Sequence, residues 1–497
     1  ILCHPTSLPG RYGIGSLGRH ARALLDFLVD AGQSYWQVLP LGPTGYGDSP
    51  YQAFSAFAGN PLLIDLDELV ELELLSRDDL ADAPAFASGP IDYGAVIGHR
   101  DGVLRRASAR LLGGQADAAL QRELEAFSGQ QAAWLDDFAL FMAIKEEQEL
   151  HPWLDWPEPL KTRDKEALNQ TQERLAEKIK KHKFNQFLFF RQWARLKNYA
   201  KQRGIEIIGD MPFVIALDSS DVWSNPELFL LDEQLNPTFV AGVPPDYFSI
   251  TGQLWGNPLY DWEAHKKQGY AWWIERVRFQ MRLYDIIRID HFRGLESYWS
   301  VPYGDKTARR GQWIDGPADS LIEALRDALG TLPVIAEDLG YMTREVDAFR
   351  DRSGFPGMKV LQFAFNPDAS SDYLPHNLVE DAVLYIGTHD NDTVAAWIAH
   401  ADPRELSFAK QYLGLSEEEG YIRGMLRGAA TAVCQTVIFQ MQDLLALGDE
   451  GRMNRPGQAE GNWQWRMLPD QLTLELASSL KELTRMSGRL SSNLIAI

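Results

Sequence analysis

The stretch Asp319-Ser-Leu-Ile-Glu-Ala-Leu-Arg-Asp-Ala-Leu-Gly-Thr-Leu-Pro-Val-Ile-Ala-Glu337 holds the fold in miniature. Asp319 to Leu329 follows helical spacing, Gly330 closes it, and Pro333 to Glu337 reads as the short strand after the helix. The same order stands at the start of the chain. Ile1-Leu-Cys-His-Pro reads as a strand, and a Gly-rich turn follows. Leu17, Ala21, Leu24, Leu25 and Leu28 then predict a helix over 16–31, capped by Ser16 and ended by Gly32, and Tyr35-Trp-Gln-Val-Leu-Pro40 is the next strand. Alternating β and α elements predict a parallel sheet.

Eight strand candidates can be placed, near 1–5, 35–40, 205–213, 285–290, 333–337, 358–364, 383–387 and 433–439. Eight would close an α/β fold of the (β/α)8 TIM-barrel type. Two gaps are too long for simple connections, about 41–204 and about 214–284. Without them about 260 residues remain, near the roughly 250 of a typical barrel. The expectation is a single catalytic barrel spanning 1–497 with inserted subdomains. The first insertion is mostly helical and the second is a Pro/Gly/aromatic-rich substrate-covering loop with helices.

Composition narrows the function. The chain carries 48 Lys plus Arg against 69 Asp plus Glu, a net charge of −21, so nucleic acid and anionic membranes are excluded as natural partners. No apolar run approaches the roughly 18 residues of a membrane span. The two cysteines, Cys3 and Cys434, form neither a disulfide framework nor a zinc spacing, and they point to a reducing compartment. A cytoplasmic location is expected. The chain opens at Ile1 without Met, so plastid stroma is the alternative if a transit peptide has been removed. The 15 Trp, 17 Tyr and 23 Phe often sit in Gly/Pro-rich stretches such as 246–262, where rings can face sugars.

Gly13-Ile-Gly-Ser-Leu-Gly18 fits the dinucleotide pattern G-x-G-x-x-G between a strand and a helix. The following strand ends Leu39-Pro40, without the acid that would hold a ribose, so a glycine turn shaping a barrel loop is the better reading.

Three acids stand at predicted strand ends: Asp290 in Arg288-Ile-Asp-His-Phe-Arg-Gly294, Glu337 in Ile335-Ala-Glu-Asp-Leu-Gly340, and Asp390 in Gly387-Thr-His-Asp-Asn-Asp392. On a parallel barrel these ends share one face. Arg288 and Asp290 point the same way along their strand, so the cation should keep Asp290 ionised as a nucleophile. Glu337, away from such a cation, is the candidate acid. A pair of carboxyls acting on an acetal carbon is the usual glycosidase arrangement, about 5–5.5 Å apart where configuration is retained. A metal site is the rival use of Asp210 and the 389–392 cluster, but H-x-H, H-E-x-x-H and EF-hand spacings are absent, and no metal or other cofactor is expected.

These residues resemble the 4-α-glucanotransferases known as amylomaltases or disproportionating enzymes, relatives of the α-amylases. The matching stretches are His4-Pro-Thr-Ser-Leu-Pro9, Leu39 to Gln52, Gly209-Asp-Met-Pro212, Gly242-Val-Pro-Pro-Asp-Tyr-Phe248, Gly252-Gln-Leu-Trp-Gly-Asn-Pro258, the three acid motifs, Arg452-Met-Asn454 and Gly461-Asn-Trp463. They cover essentially the whole chain. The resemblance implies that Asp290 is the nucleophile, Glu337 the acid/base, and Asp390 the group gripping sugar hydroxyls in the transition state. By the same matching Arg288, Asp210, His389, Ser49 and Tyr51 would line the subsite of the attacked glucose. Trp255, Asn257, Asp246 and Phe248 would belong to the loop covering the acceptor side. Tyr46 and Tyr93 resemble positions holding a glucan chain away from the catalytic centre. Cys3, where an aliphatic residue is usual, and Gly316-Pro-Ala318, in place of Gly-Pro-Gly, are small departures.

The implied reaction passes a segment of maltooligosaccharide, starch or glycogen to the 4-hydroxyl of another glucan by retaining double displacement. The spacing of the acids serves an α-amylase-type hydrolase equally well. A glucan-binding protein without activity is the third reading, and the intact acid set disfavours it.

Overall fold

The chain closes a barrel with its first three residues. The computed structural model describes residues 1–115, 117–245, 249–367, 371–458 and 460–490, and at position 46 the backbone alone. In chain order the strands are β1 (Tyr35–Gln37), β2 (Glu206–Met211), β3 (Phe239–Val243), β4 (Gln253–Pro258), β5 (Ile286–Ile289), β6 (Ser297–Pro302), β7 (Gln312–Asp315), β8 (Val334–Ala336), β9 (Gly357–Val360), β10 (Ala382–Tyr385) and β11 (Thr436–Ile438). One wholly parallel sheet runs β1-β2-β5-β8-β9-β10-β11. Leu2 bridges in parallel to both Gln37 and Gln440. Its amide donates to the Phe439 carbonyl at 2.8 Å, and its own carbonyl accepts from Met441 at 3.0 Å. The ring is thus an eight-stranded α/β barrel. Pro5, which lacks an amide proton, opens the 3-10 turn Pro5–Ser7 that ends the first strand.

Seven of the eight predicted strands are present in shortened form, and the one predicted near 1–5 is reduced to the two bridges of Leu2. Pro212 stops β2, and β9 gives way at Leu361 to a 3-10 turn running to Phe365, where the sequence predicts a strand to 364. The strands β5, β8 and β10 are buried on both faces, and so they read as near-continuous apolar runs. The helix Asp319–Leu329 buries Leu321, Ile322 and Leu325, and Gly330 at φ +75° ends it as expected. Ser16 behaves otherwise. The helix begins at Arg19 with Gly18 at its cap, and the Ser16 hydroxyl donates to Asp65 Oδ2 at 2.7 Å.

Asp65 also disposes of the glycine motif. A Cβ on Gly18 would lie 1.9 Å from Asp65 Oδ2, and one on Gly15 would lie 2.0 Å from the Pro5 carbonyl oxygen. The glycines let the chain pack closely, and the protein's own carboxylate sits at the helix start where a pyrophosphate would bind.

Between β1 and β2 the chain is mostly helical, ending in the long helix Ala176–Gln202 that leads into β2. The second sheet, β4-β3-β6-β7, is antiparallel. The sequence reading places no strands there, because Gly and Pro interrupt β4 and the β3–β4 register shifts between Val240 and Gly242. Two of its strands follow Asp290, so this wall draws on chain from both sides of β5. Gly242 packs the sheet: a Cβ there would lie 2.5 Å from the Gln253 carbonyl oxygen. Among the described residues no helix is long and apolar enough to cross a membrane, and no group of three or more His, Cys, Asp or Glu is arranged to hold a metal ion.

Candidate active site

Arg288 organises the barrel's C-terminal mouth. Residues on neighbouring parallel strands at equal height share a layer, and the register sets Asp210 of β2 opposite Arg288 of β5. All three donor nitrogens of the guanidinium are occupied. Nη1 donates to Asp210 Oδ2 at 2.6 Å, Nη2 to Asp290 Oδ1 at 2.9 Å, and Nε to the Met358 thioether at 3.3 Å. Tyr51 donates its hydroxyl to the same Asp210 oxygen at 2.8 Å. Burial works against the cation, but Asp210 and Asp290 outweigh it and hold Arg288 well above its ordinary value. The fork is permanently charged and fixed in direction.

Glu337, just past β8, is held from the other side. His291 donates its amide to Oε2 at 2.7 Å and Leu339 donates its amide to Oε1 at 2.9 Å. The first bond requires His291 to adopt φ +50°, the left-handed region that a residue other than glycine seldom occupies. This bend beside Asp290 aims a backbone donor at the partner acid. Asp338, the neighbour of Glu337, faces away and accepts from the Met358 amide and Arg350, both at 2.6 Å.

The spacing predicts an ion pair that keeps Asp290 charged, and the pair is present. Burial is nevertheless the larger influence. Against the pull of Arg288, it acts with Asp210, Glu337 and Asp390 to push Asp290 up to about 8, although 29% of the side chain opens to solvent. Burial also raises Glu337, opposed by Arg288 and the two amides. The two acids titrate as one system. The guanidinium bonds Asp290 directly, so the state with charge on Asp290 and the proton on Glu337 is the one this geometry favours.

Asp390 lies beyond β10 with its side chain 44% exposed. Asn454 donates to its Oδ1 at 2.6 Å, and His389 Nε2 lies 3.3 Å from the same oxygen. Arg452 donates to its backbone carbonyl at 3.0 Å and pairs with Asp392. His389 stacks on Tyr51 with ring centres 5.3 Å apart and planes 15° apart, and Trp463 leans on both rings. Burial lowers His389 from its ordinary value, so its ring is neutral.

Comparison with known proteins places this mouth. The sequence profile described as 4-alpha-glucanotransferase matches residues 3–473. The chain belongs to the 4-alpha-glucanotransferase family. It is 49% identical to the 4-alpha-glucanotransferase of Clostridium butyricum over 98% of this chain and 99% of that one. It is 48% identical to that of Thermus thermophilus over 99% and 98%. The structure of the amylomaltase from Streptococcus agalactiae in complex with acarbose superposes with a TM-score of 0.96, at 41% identity over 99% of both chains.

The remaining expected residues fare unequally. Ser49 is partly buried and its hydroxyl accepts from the Tyr51 amide at 3.3 Å, bracing that loop. Trp255 of β4 stands edge-on to His291 with ring centres 4.8 Å apart, so it reaches the catalytic loop. Asn257 is 2% exposed, and its amide is spent on the Ile215 carbonyl and Gln52, which makes it an internal brace and not an open sugar contact. Asp210 is equally closed off beneath Arg288 and Tyr51. Tyr93 is 6% exposed, part of the main core, with its hydroxyl donating to the Trp463 carbonyl at 3.0 Å, and it offers no open ring for a glucan. Asp246 and Phe248 lie outside the described residues, as does the side chain of Tyr46.

Sequence reasoning assigns no role to Asn454, to the Met358 thioether or to the amides of His291 and Leu339. Asn454 and Trp463 stand in motifs that mark the 4-alpha-glucanotransferase family, but nothing in the sequence says that Asn454 meets Asp390. Backbone donors carry no side-chain signature at all.

Proposed function

We propose that the protein transfers α-1,4-glucan segments between maltooligosaccharides by a retaining double displacement on Asp290 and Glu337. The observation that carries this reading is the asymmetric pair: two raised carboxyls at neighbouring strand ends, only one of them bonded to Arg288. Glu337 gives its proton to the glycosidic oxygen while Asp290 attacks C1. The bond from C1 to the leaving oxygen breaks, the reducing-end fragment departs, and the donor segment stays on Asp290 as an ester. Glu337, now ionised, takes the proton of an incoming 4-hydroxyl, whose oxygen attacks C1 and frees Asp290.

Asp390, held by Asn454 with its other face open, is suited to bond the sugar hydroxyls as charge develops at C1. Tyr51, backed by His389, is a rigid ring beside the attacked glucose, and Asp210 positions both Tyr51 and Arg288. Trp255 and the β3–β4 wall would shield the ester from water and favour a sugar acceptor. No metal or other cofactor is needed. Substrates are α-glucans, as the acarbose bound to the related amylomaltase suggests. The two cysteines, both buried and free, accord with a cytoplasmic location.

Incubation with maltotriose alone tests the reading. Free glucose and longer oligomers at constant total reducing ends are expected. Rising reducing ends without longer products would make the protein a hydrolase and refute transfer.

A further inference from the structure

An exposed aromatic raft lies beside the catalytic loop. Tyr341 follows Glu337 by four residues on the same loop, is 65% exposed, and stacks on Trp313 of β7 with ring centres 6.1 Å apart and planes 20° apart. The guanidinium of Arg293 sits 3.8 Å above the Trp313 ring and 5.9 Å from that of Tyr341. Arg293 is itself buried and fixed. It donates to the Tyr341 carbonyl and, at 3.0 Å, to the Ser297 hydroxyl. Gly340 at φ +87° makes the turn that presents Tyr341. A large ring held open to solvent on such a support is unusual for a side chain whose burial would stabilise the fold.

Its position follows from the chemistry. The acid/base serves the oxygen that leaves and the hydroxyl that enters, and so it faces the acceptor half of the cleft, whereas the nucleophile faces the donor sugar. Four residues reach at most about 14 Å from Glu337, a span of a few sugar units. Arg293 stands three residues beyond Asp290, so the raft ties the two catalytic loops together.

We propose that Tyr341, seated on Trp313 and Arg293, is a stacking platform for acceptor glucose units beyond the one that is joined, so that it sets a preference for longer acceptors. This rests on the transferase reading above. The test uses maltotriose as donor and reducing-end-labelled acceptors of increasing length, from glucose upward, with the wild-type protein and the Tyr341→Ala and Tyr341→Phe variants. Removal of the ring is expected to raise KM for the longer labelled acceptors roughly three- to tenfold, with little change for labelled glucose, and Phe should restore the wild-type pattern. A change of equal size at every length, or none, overturns the platform while labelled products still lengthen. If the wild-type protein lengthens no labelled acceptor, the transferase reading falls and the platform with it.

Discussion

Replacing Asp290 by Asn keeps the shape of the side chain and removes one titrating group from a cluster that holds too much negative charge. Burial, with Asp210, Glu337 and Asp390, outweighs Arg288 and raises this acid from 3.8 to about 8. Between those values the folded protein binds more protons than the unfolded chain. The stability contributed by Asp290 is therefore fully present below pH 3.8 and is lost as pH rises toward 8. At face value the shift amounts to roughly 6 kcal/mol. Partial exposure of the side chain and a proton shared with Glu337 reduce this to about 1–3 kcal/mol. A neutral amide at this position escapes the penalty, so Asp290→Asn should melt at the same temperature as wild type near pH 4 and about 1–3 °C higher above pH 8. Melting curves at one fixed scan rate across this range are the assay, since a chain this long often unfolds irreversibly. A variant that is less stable than wild type at alkaline pH, or an offset that ignores pH, would refute the reasoning. Transfer activity should be lost at every pH.

Arg288→Lys replaces a three-way fork by a point charge that cannot reach Asp210, Asp290 and Met358 together, and kcat should fall roughly a hundredfold in the maltotriose assay. Asn454→Ala removes the 2.6 Å bond to Asp390, where water can replace the lost partner; kcat/KM should drop about tenfold with the melting temperature unchanged. Gly242→Ala forces a Cβ to within 2.5 Å of the Gln253 carbonyl oxygen and should cost about 1–3 kcal/mol in denaturant unfolding, whereas a neutral result would mean that the antiparallel wall yields easily.

The barrel was legible because its strands are short and apolar, most are closely buried, and several end at glycine or proline, so pattern and structure agree. The antiparallel wall was not. β4 is Gln-Leu-Trp-Gly-Asn-Pro, with neither alternation nor an unbroken apolar run, and its pairing depends on Gly242 allowing β3 and β4 to approach. In the site, Asp290, Glu337 and Asp390 could be found from strand ends alone, and period two correctly set Arg288 beside Asp290. What period two could not give was the balance of forces. It places a cation near an acid but says nothing of the other three carboxylates that gather there from separate strands. Tyr93 illustrates the same limit. Its motif resembles a position that holds a glucan, yet the hydroxyl bonds the carbonyl of Trp463, a residue 370 positions away.

The division of labour between the two acids rests on backbone as much as on side chains. Both carboxyls are raised, so composition alone would leave it open which one attacks and which one protonates. Arg288 breaks the tie by bonding Asp290, and the amides of His291 and Leu339 hold both oxygens of Glu337 without lending it a full positive charge. A carboxyl held in this way can carry a proton and give it up again without moving, as the two half-reactions require. The left-handed bend at His291 is the local cost of that arrangement. Substitution of His291 by Gly, which adopts this backbone freely, should therefore keep the bond to Glu337, whereas a β-branched residue there should disturb catalysis before it disturbs the fold.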